Sequence, residues 1–420
     1  MHDFHYVDDA LWCEEVPVAE IARKAGTPFY LYSYRTLLNH YRTFDSAFAQ
    51  IPHLVCFSVK SNSNISILRI FAREGGGADI VSGGELYRAL KAGVAPERIV
   101  YSGVGKRVDE IEFALGSGIL MFNVESSQEL EQIDACAGRM RKRAGIAIRI
   151  NPNVDPMTHP HISTGLKQNK FGIDIESSIR EYRRARGLKN IDVIGVDCHI
   201  GSQLTDISPF IDALSRLKEL IRLLRAEGFR VRYLDIGGGL GITYNEEIPP
   251  HPEEYARAVI QSARDLGCTF ILEPGRVITG NAGILVSSVL YTKSNNEKNF
   301  VIVDAGMNDL IRPSLYSSYH FIQPVLRSGR EATVADIVGP ICESGDFFAK
   351  GRMVPKLERG DLIAIMSAGA YGFAMSSNYN ARPRVAEVLV RDRKFHVIRR
   401  REEYKDLIAK ERIPAFLKQA

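Results

Sequence analysis

The chain has 420 residues, 45% hydrophobic and 25% charged, a globular composition over more length than one core usually takes, so two domains are expected. Its 54 basic and 50 acidic residues leave a net charge of only +4, too small and too scattered to suggest a nucleic-acid or membrane partner. No apolar run is long enough to span a bilayer, and the mixed, acidic start "MHDFHYVDDALWCEEV" lacks a leader pattern.

The first strand-like run is "TPFYLYSY", residues 27–34. Eight β-rich runs follow: "LVCFSVK" (54–60), "ADIVS" (78–82), "RIVYSG" (98–103), "ILMFNVES" (119–126), "GIAIRINP" (145–152), "VIGVDCHIGS" (193–202), "VRYLDIGGG" (231–239) and "FILEPGR" (270–276). Between them lie stretches such as "GGELYRALKAG" and "FIDALSRLKELIRLLRAEG", with apolar residues at helical spacing and Gly near the end. Strands alternating with helices predict a parallel sheet, and eight such units predict a (β/α)8 barrel over residues 36–280. A doubly wound sheet is the competing architecture. Most runs turn polar or Gly-rich at their C-terminal ends, at Lys60, Ser82, Ser102, Glu125, Arg149, His199, Gly237 to Gly239 and Glu273. In a barrel that is the catalytic face. The long irregular piece 150–173 is expected to cover the barrel mouth.

Beyond Gly280 the texture changes. "GILVSSVLYTKS", "NFVIVDAG", "ATVADIVGP", "DLIAIMSAG", "RPRVAEVLVRD" and "KFHVIRRR" are strand-like and separated by turn residues, with helical pattern only near the C-terminus. They predict a mainly antiparallel β domain formed by residues 1–35 and 281–420, with "TPFYLYSY" as one of its strands. Six dispersed cysteines show no CxxC or metal-ligand spacing. Free thiols, a cytoplasmic location and no metal are expected, with five cysteines in packing roles.

Several positions admit two readings. Lys60 ends an apolar strand, either snorkelling to water or serving as a nucleophile of lowered pKa. The glycines of "LDIGGGLG" form either a tight turn or a loop whose N–H groups approach a phosphate; neither a Walker loop nor GxGxxG is matched. Glu273 and Arg276 of "EPGR" make either a rim ion pair or a carboxylate for a protonated ring nitrogen beside a phosphate contact. His199 either stacks on a flat cofactor or is structural. Cys342 beside Glu343 and Asp346 is either a small buried residue or a reactive thiol. Arg312 and Tyr316 on one short loop, and Tyr371 in a glycine turn, are bland singly.

Taken in order, "FSVKSN", "VSGGEL", "HIGSQ", "DIGGGLG", "EPGR", "DAGMNDLIRPSLY", "CESGD" and "GAYGF" span most of the chain. Together they closely resemble the PLP-dependent decarboxylases with an alanine-racemase-like barrel. The resemblance implies a fold-type-III barrel with a C-terminal β domain and pyridoxal 5'-phosphate as cofactor. The expected reaction is decarboxylation of meso-2,6-diaminopimelate to L-lysine and CO2, the last step of lysine biosynthesis. By the same resemblance, Lys60 matches the lysine covalently bound to the cofactor. Gly237, Gly238 and Gly239 match the phosphate loop, with Ser202, Gly275 and Arg276 as further contacts. Glu273 matches the partner of the ring nitrogen and His199 the ring-stacking histidine, while Asp79 and Arg149 match positions near the cofactor. Arg276, Arg312 and Tyr316 match residues that bind the substrate end remote from the broken bond, Glu343 a partner for its ammonium, and Tyr371 a contact to cofactor and substrate. Cys342 matches the proton donor. The resemblance further implies a homodimer in which "CESGD" completes the neighbour's site. One departure is Ser61, where many relatives have Ala. Sister enzymes acting on ornithine, lysine, arginine or carboxynorspermidine are the nearest alternatives, but a substrate without a distal carboxylate would set its cation against Arg312. A racemase and a non-catalytic PLP-binding regulator are further alternatives; the latter would not need Arg312, Cys342 or Glu343.

Overall fold

Parallel strands buried on both faces, as the near-continuous apolar runs require, dominate one of two units in the computed structural model, which describes residues 2–155 and 169–417. That unit is Leu37–Gly280; the other combines Met1–Thr36 with Asn281–Ala420.

The chain opens in the second unit with β1 (Phe4–Val7), β2 (Ala10–Cys13) and β3 (Val16–Pro17), a small antiparallel sheet. Helix Val18–Ala25 and β4 (Phe29–Ser33) follow. This opening sheet and helix carry too few alternating residues to be recognised from the sequence; they are held because Phe4, Leu11, Cys13, Val16, Val18 and Ile21 share a buried cluster with later strands.

The barrel strands are β5 (His53–Ser58), β6 (Gly77–Ile80), β7 (Ile99–Tyr101), β8 (Met121–Val124) and β9 (Ala144–Asn151), then β11 (Ile191–Asp197), β12 (Tyr233–Asp235) and β13 (Thr269–Leu272). A two-residue strand, β10 (Ile173–Asp174), pairs outside the ring with β9. Order β9-β11-β12-β13-β5-β6-β7-β8, with β8 pairing back onto β9, closes an eight-stranded parallel barrel. The expected barrel is therefore present, and the doubly wound alternative is not. Helices follow the strands, and two of their starts are capped by serine: Ser82 and Ser126 accept the N–H groups of Glu85 and Glu129. Ser82, one of the polar strand-end residues, is thus a helix cap. Of the irregular piece expected over the barrel mouth, residues 156–168 lie outside the described residues.

Strand periodicity builds the barrel interior. Cys56, Val100, Met121, Ala147 and Ile271 pack in one apolar cluster. Two residues further along each strand, on the same face, stand Ser58, Ser102, Asn123, Arg149 and Glu273. The same step leads from Tyr233 to Asp235. An apolar layer is therefore overlaid, at the C-terminal end of the barrel, by a buried polar layer.

In the second unit β14 (Gly283–Ser294) is the long central strand, followed by β15 (Asn299–Val303), β16 (Ile322–Pro324), β17 (Ala332–Val338), β18 (Phe347–Pro355), β19 (Leu362–Ile365), β20 (Ala386–Arg391) and β21 (Lys394–Arg399). The main path runs β18-β17-β15-β14-β4-β20-β21, and β19 joins β14 to β16. Pairing is mainly antiparallel, as expected, except for β15 with β17 and β4 with β20. The strand foreseen in "TPFYLYSY" lies between β14 and β20. Phe29 and Leu31 enter the core on one face of β4. On the other, the Tyr30 and Tyr32 hydroxyls donate to the Asp309 carbonyl (2.7 Å) and to Glu387 (2.9 Å). Among the described residues, the helical pattern near the C-terminus yields one α-helical turn, Tyr404–Leu407, and one 3-10 turn, Ala415–Leu417.

Candidate active site

At the end of β5 the chain makes a 3-10 turn, Val59–Ser61, which carries Lys60 off the strand. The Lys60 side chain is 32% exposed, and its Nζ donates to Asp79 Oδ2 at 2.8 Å. Asp79 is fully buried on β6. The same Oδ2 accepts the Ser58 hydroxyl at 2.5 Å, while Oδ1 is buried with no hydrogen-bond partner among the described residues. Lys60 is therefore an amine held back at the barrel mouth by a buried carboxylate, rather than one reaching freely into water.

Glu273 leaves β13 into the polar layer. It accepts the Ser102 hydroxyl at 3.3 Å and an amide N–H of Asn123 at 3.5 Å. Asn123 also donates to Asp235 at 3.1 Å. Carboxylate oxygens of Asp197, Asp235 and Glu273 all lie within 4.8 Å of one another. Loss of hydration, reinforced by neighbouring negative charge, raises all three carboxyl pKa values above the ordinary range. Asp197, Asp235 and Asn123 were missed in the sequence, although each is a polar residue inside an otherwise apolar strand, which is the available signal.

A raised acid pKa stabilises the fold below the unfolded value, about 4, and that contribution is lost as pH rises through the folded value. The cofactor-free protein is thus expected to lose stability between pH 5 and pH 8. Asp235→Asn retains an acceptor for Gly237 and should flatten that slope by roughly 1 kcal/mol or more. Denaturant midpoints at the two pH values measure it; identical slopes in the two proteins would refute the role given to this acid.

The glycine run follows β12. Gly237 and Gly239 have φ of +65° and +119°, the region that favours glycine. A Cβ on Gly238 would overlap the carbonyl oxygen of Glu273, so the loop lies directly on the end of β13. Two of its amides point inward: Gly237 N–H donates to Asp235 (2.9 Å) and Gly238 N–H to His199 Nδ1 (3.1 Å). Because Nδ1 accepts, the His199 proton sits on Nε2 and the ring is neutral. Removal from water, with Arg149 and Lys60 nearby, holds its pKa well below the ordinary value. Arg276 donates to the Ser202 hydroxyl at 3.0 Å and to the Tyr244 hydroxyl at 2.6 Å. Gly275 precedes it where a Cβ would stand 3.0 Å from Ser58 and Ser61. Arg149 pairs with buried Glu125 at 2.9 Å, and Glu125 also accepts the N–H groups of Gly103 and Gly172.

These residues suit a phosphorylated aromatic aldehyde. They present one restrained primary amine, a buried acid that could pair with a ring nitrogen, a neutral imidazole, and a cation with a hydroxyl beside side-chain-free backbone. Lys60, Asp79, Arg149, His199, Ser202, Gly237 to Gly239, Glu273, Gly275 and Arg276 thus gather at one end of the barrel.

The β unit holds the remaining candidates. Arg312 is buried at the start of a one-turn helix, Arg312–Tyr316, and Tyr316 is half-buried. The Ser314 hydroxyl ties this helix to the Gly345 carbonyl at 2.5 Å. In the "CESGD" turn it is Asp346 that is buried, accepting the N–H groups of Met307 (2.7 Å) and Ile341 (2.6 Å). Cys342 and Glu343 are exposed, whereas the other five cysteines are buried and all six are unpaired. Glu343 and loss of hydration raise the pKa of the neighbouring Tyr379, Glu343 being the larger cause. Tyr371 has φ +56°, a strained backbone for a non-glycine residue and a frequent mark of a working site.

A family model for the pyridoxal-dependent decarboxylase pyridoxal-binding domain matches residues 34–280. The diaminopimelate decarboxylase of Vibrio cholerae is 51% identical over 417 residues, covering 98% of this chain and 99% of that protein. The Pseudomonas aeruginosa enzyme of the same name is 50% identical, with the same coverage of each chain. Among solved structures, diaminopimelate decarboxylase from M. jannaschii in complex with L-lysine is 39% identical with a TM-score of 0.95, covering 99% of this chain and 100% of that one. The Helicobacter pylori enzyme, also complexed with L-lysine, is 45% identical with a TM-score of 0.91, covering 94% and 99%.

Proposed function

We infer that this chain, which belongs to the diaminopimelate decarboxylase family of pyridoxal-dependent decarboxylases, converts meso-2,6-diaminopimelate to L-lysine and CO2 with pyridoxal 5'-phosphate as cofactor. The observation that carries this reading is near-full-length similarity, at about half identity, to enzymes of that name.

When bound, the cofactor supplies an electron sink for the pair left behind as CO2 departs. Each residue is given its part as a proposal. Lys60, restrained by Asp79, is the amine through which the chain holds the cofactor. Glu273 keeps the ring nitrogen protonated, and Ser102 and Asn123 hold its carboxyl in place. Neutral His199 offers a ring face without adding charge. Ser202, Gly237, Gly238, Gly239, Gly275 and Arg276 receive the phosphate. The inward bonds of the Gly237 and Gly238 amides support close approach more than donation as the part of those glycines. Arg149, paired with Glu125, braces the mouth.

For the substrate, Arg276, Arg312 and Tyr316 bind the distal carboxylate, because guanidinium reads a carboxylate through paired N–H groups. Glu343 receives the distal ammonium, and Tyr371 contacts cofactor and substrate. Cys342 Sγ delivers the proton to the carbon that lost CO2. A second copy of the chain supplying Cys342 and Glu343 is part of the same proposal; their exposure on an ordered turn supports it. The six unpaired cysteines support a cytoplasmic setting, and no helix among the described residues is long and apolar enough to cross a membrane.

The test is a substrate panel. PLP-loaded protein is incubated with diaminopimelate isomers, lysine, ornithine and arginine, and CO2 and amine products are measured. Equimolar CO2 and L-lysine from the meso isomer is the expected result. CO2 from ornithine or lysine, with none from diaminopimelate, would overturn the substrate assignment.

A further inference from the structure

We propose that His320 is a positioning residue for substrate discrimination, fixing the plane of the Arg312 guanidinium so that it meets a carboxylate. This rests on the reading that Arg312 binds the distal end of the substrate.

The geometry dictates the state of His320. Arg312 Nη1 lies 3.1 Å from His320 Nε2. A guanidinium only donates, so Nε2 must accept and carries no proton. His320 Nδ1 lies 2.8 Å from the Met366 carbonyl, which only accepts, so Nδ1 carries the proton. The ring is therefore a neutral imidazole in one tautomer, tied to the residue that follows β19. Arg312 Nη2 also donates to the Ser318 hydroxyl at 3.3 Å. Bonds on both terminal nitrogens fix the plane of the guanidinium, not only its position.

Local sequence makes the arrangement possible. The helix begun at Arg312 ends at Ser317, whose φ of +51° turns the chain back. Residue 320 thereby returns to residue 312, and both side chains are buried, Arg312 at 6% and His320 at 0% exposure. A structural partner for a buried arginine is more often a carboxylate. A carboxylate here would neutralise the guanidinium and compete with the anion it is meant to bind. The imidazole and the hydroxyl are themselves uncharged, so these two contacts orient the cation without neutralising it.

The ligand that reports on this is the product. L-lysine retains the carboxylate of the undisturbed end of diaminopimelate, whereas pentane-1,5-diamine lacks it. The PLP-loaded enzyme is compared with His320→Gln, whose amide oxygen can still accept from Arg312, and with His320→Asn, which reaches the Met366 carbonyl but not Arg312. His320→Phe is a third variant, and Arg312→Ala the control. The Asn and Phe variants should raise KM for diaminopimelate and the inhibition constant of L-lysine by roughly tenfold, the scale of a hydrogen bond to a charged group. Inhibition by pentane-1,5-diamine, cofactor absorbance and kcat should change less than about twofold, as for loss of uniform binding, and Gln should recover most of the lost affinity.

If Arg312→Ala raises KM but Asn and Gln variants of His320 behave alike, the positioning role is wrong and the reading of Arg312 stands. If Arg312→Ala itself leaves KM and L-lysine inhibition unchanged, the underlying reading of Arg312 is wrong. Equal weakening of L-lysine and the diamine would reduce His320 to a packing residue and also overturn the proposal.

Discussion

Lys60→Ala is expected to give a folded protein that binds pyridoxal 5'-phosphate without its yellow covalent absorbance, and to lower decarboxylation by roughly 10³-fold or more, within the range of positioned catalytic groups. Two losses coincide. The amine that holds the cofactor disappears, and Asp79, fully buried with its Oδ2 on Lys60 at 2.8 Å, loses its cation. Breaking a buried ion pair is costly because the remaining charge is unpaired. Here the lysine is partly exposed and Asp79 keeps the Ser58 hydroxyl, so the expected destabilisation is only about 1–2 kcal/mol. Absorbance spectra, turnover and a denaturant melt separate the two effects. An unchanged spectrum would falsify the role of Lys60, and with it the reading of the barrel mouth as a cofactor site.

Glu273→Gln is the second large effect. Glutamine is nearly isosteric and can still meet Ser102 and Asn123, so the fold should persist. It cannot carry the negative charge that keeps a ring nitrogen protonated, and an unprotonated ring is a poor electron sink. A fall in kcat of roughly 10²-fold, or about 3 kcal/mol, is expected, with KM changed far less and the covalent absorbance retained. The surrounding acids sharpen the contrast. Burial raises the carboxyl pKa values of Asp197, Asp235 and Glu273 together, and a cationic ring nitrogen beside Glu273 would favour its carboxylate form. A Gln variant with cofactor bound and kcat within threefold of the parent would show that Glu273 does not act through charge.

Much of the barrel is legible in the sequence because its signals are local. Each strand is a short apolar run, and each helix a 3.6-residue periodicity. The mark of the polar layer is local too: Asn123 and Asp235 interrupt buried strands at positions where nothing but partners could justify them. Those partners are not local. Asn123 meets Asp235 at a separation of 112 residues, and Ser102 meets Glu273 at 171. Barrel closure brings them together, and no window of sequence contains both ends.

The sequence alone determined the eight barrel strands and the polar residues at their ends. It also placed Lys60 at the end of a buried strand and a glycine run at the end of another, because strand periodicity and the backbone demands of glycine act within a few residues. The tertiary structure decided which proton sits on which atom. His199 is neutral because Gly238 donates to it, His320 is neutral because it lies between Arg312 and the Met366 carbonyl, and the carboxyl pKa values of Asp197, Asp235 and Glu273 are raised because the closed barrel excludes water. Protonation depends on burial and on partners distant along the chain, and neither exists before the chain has folded.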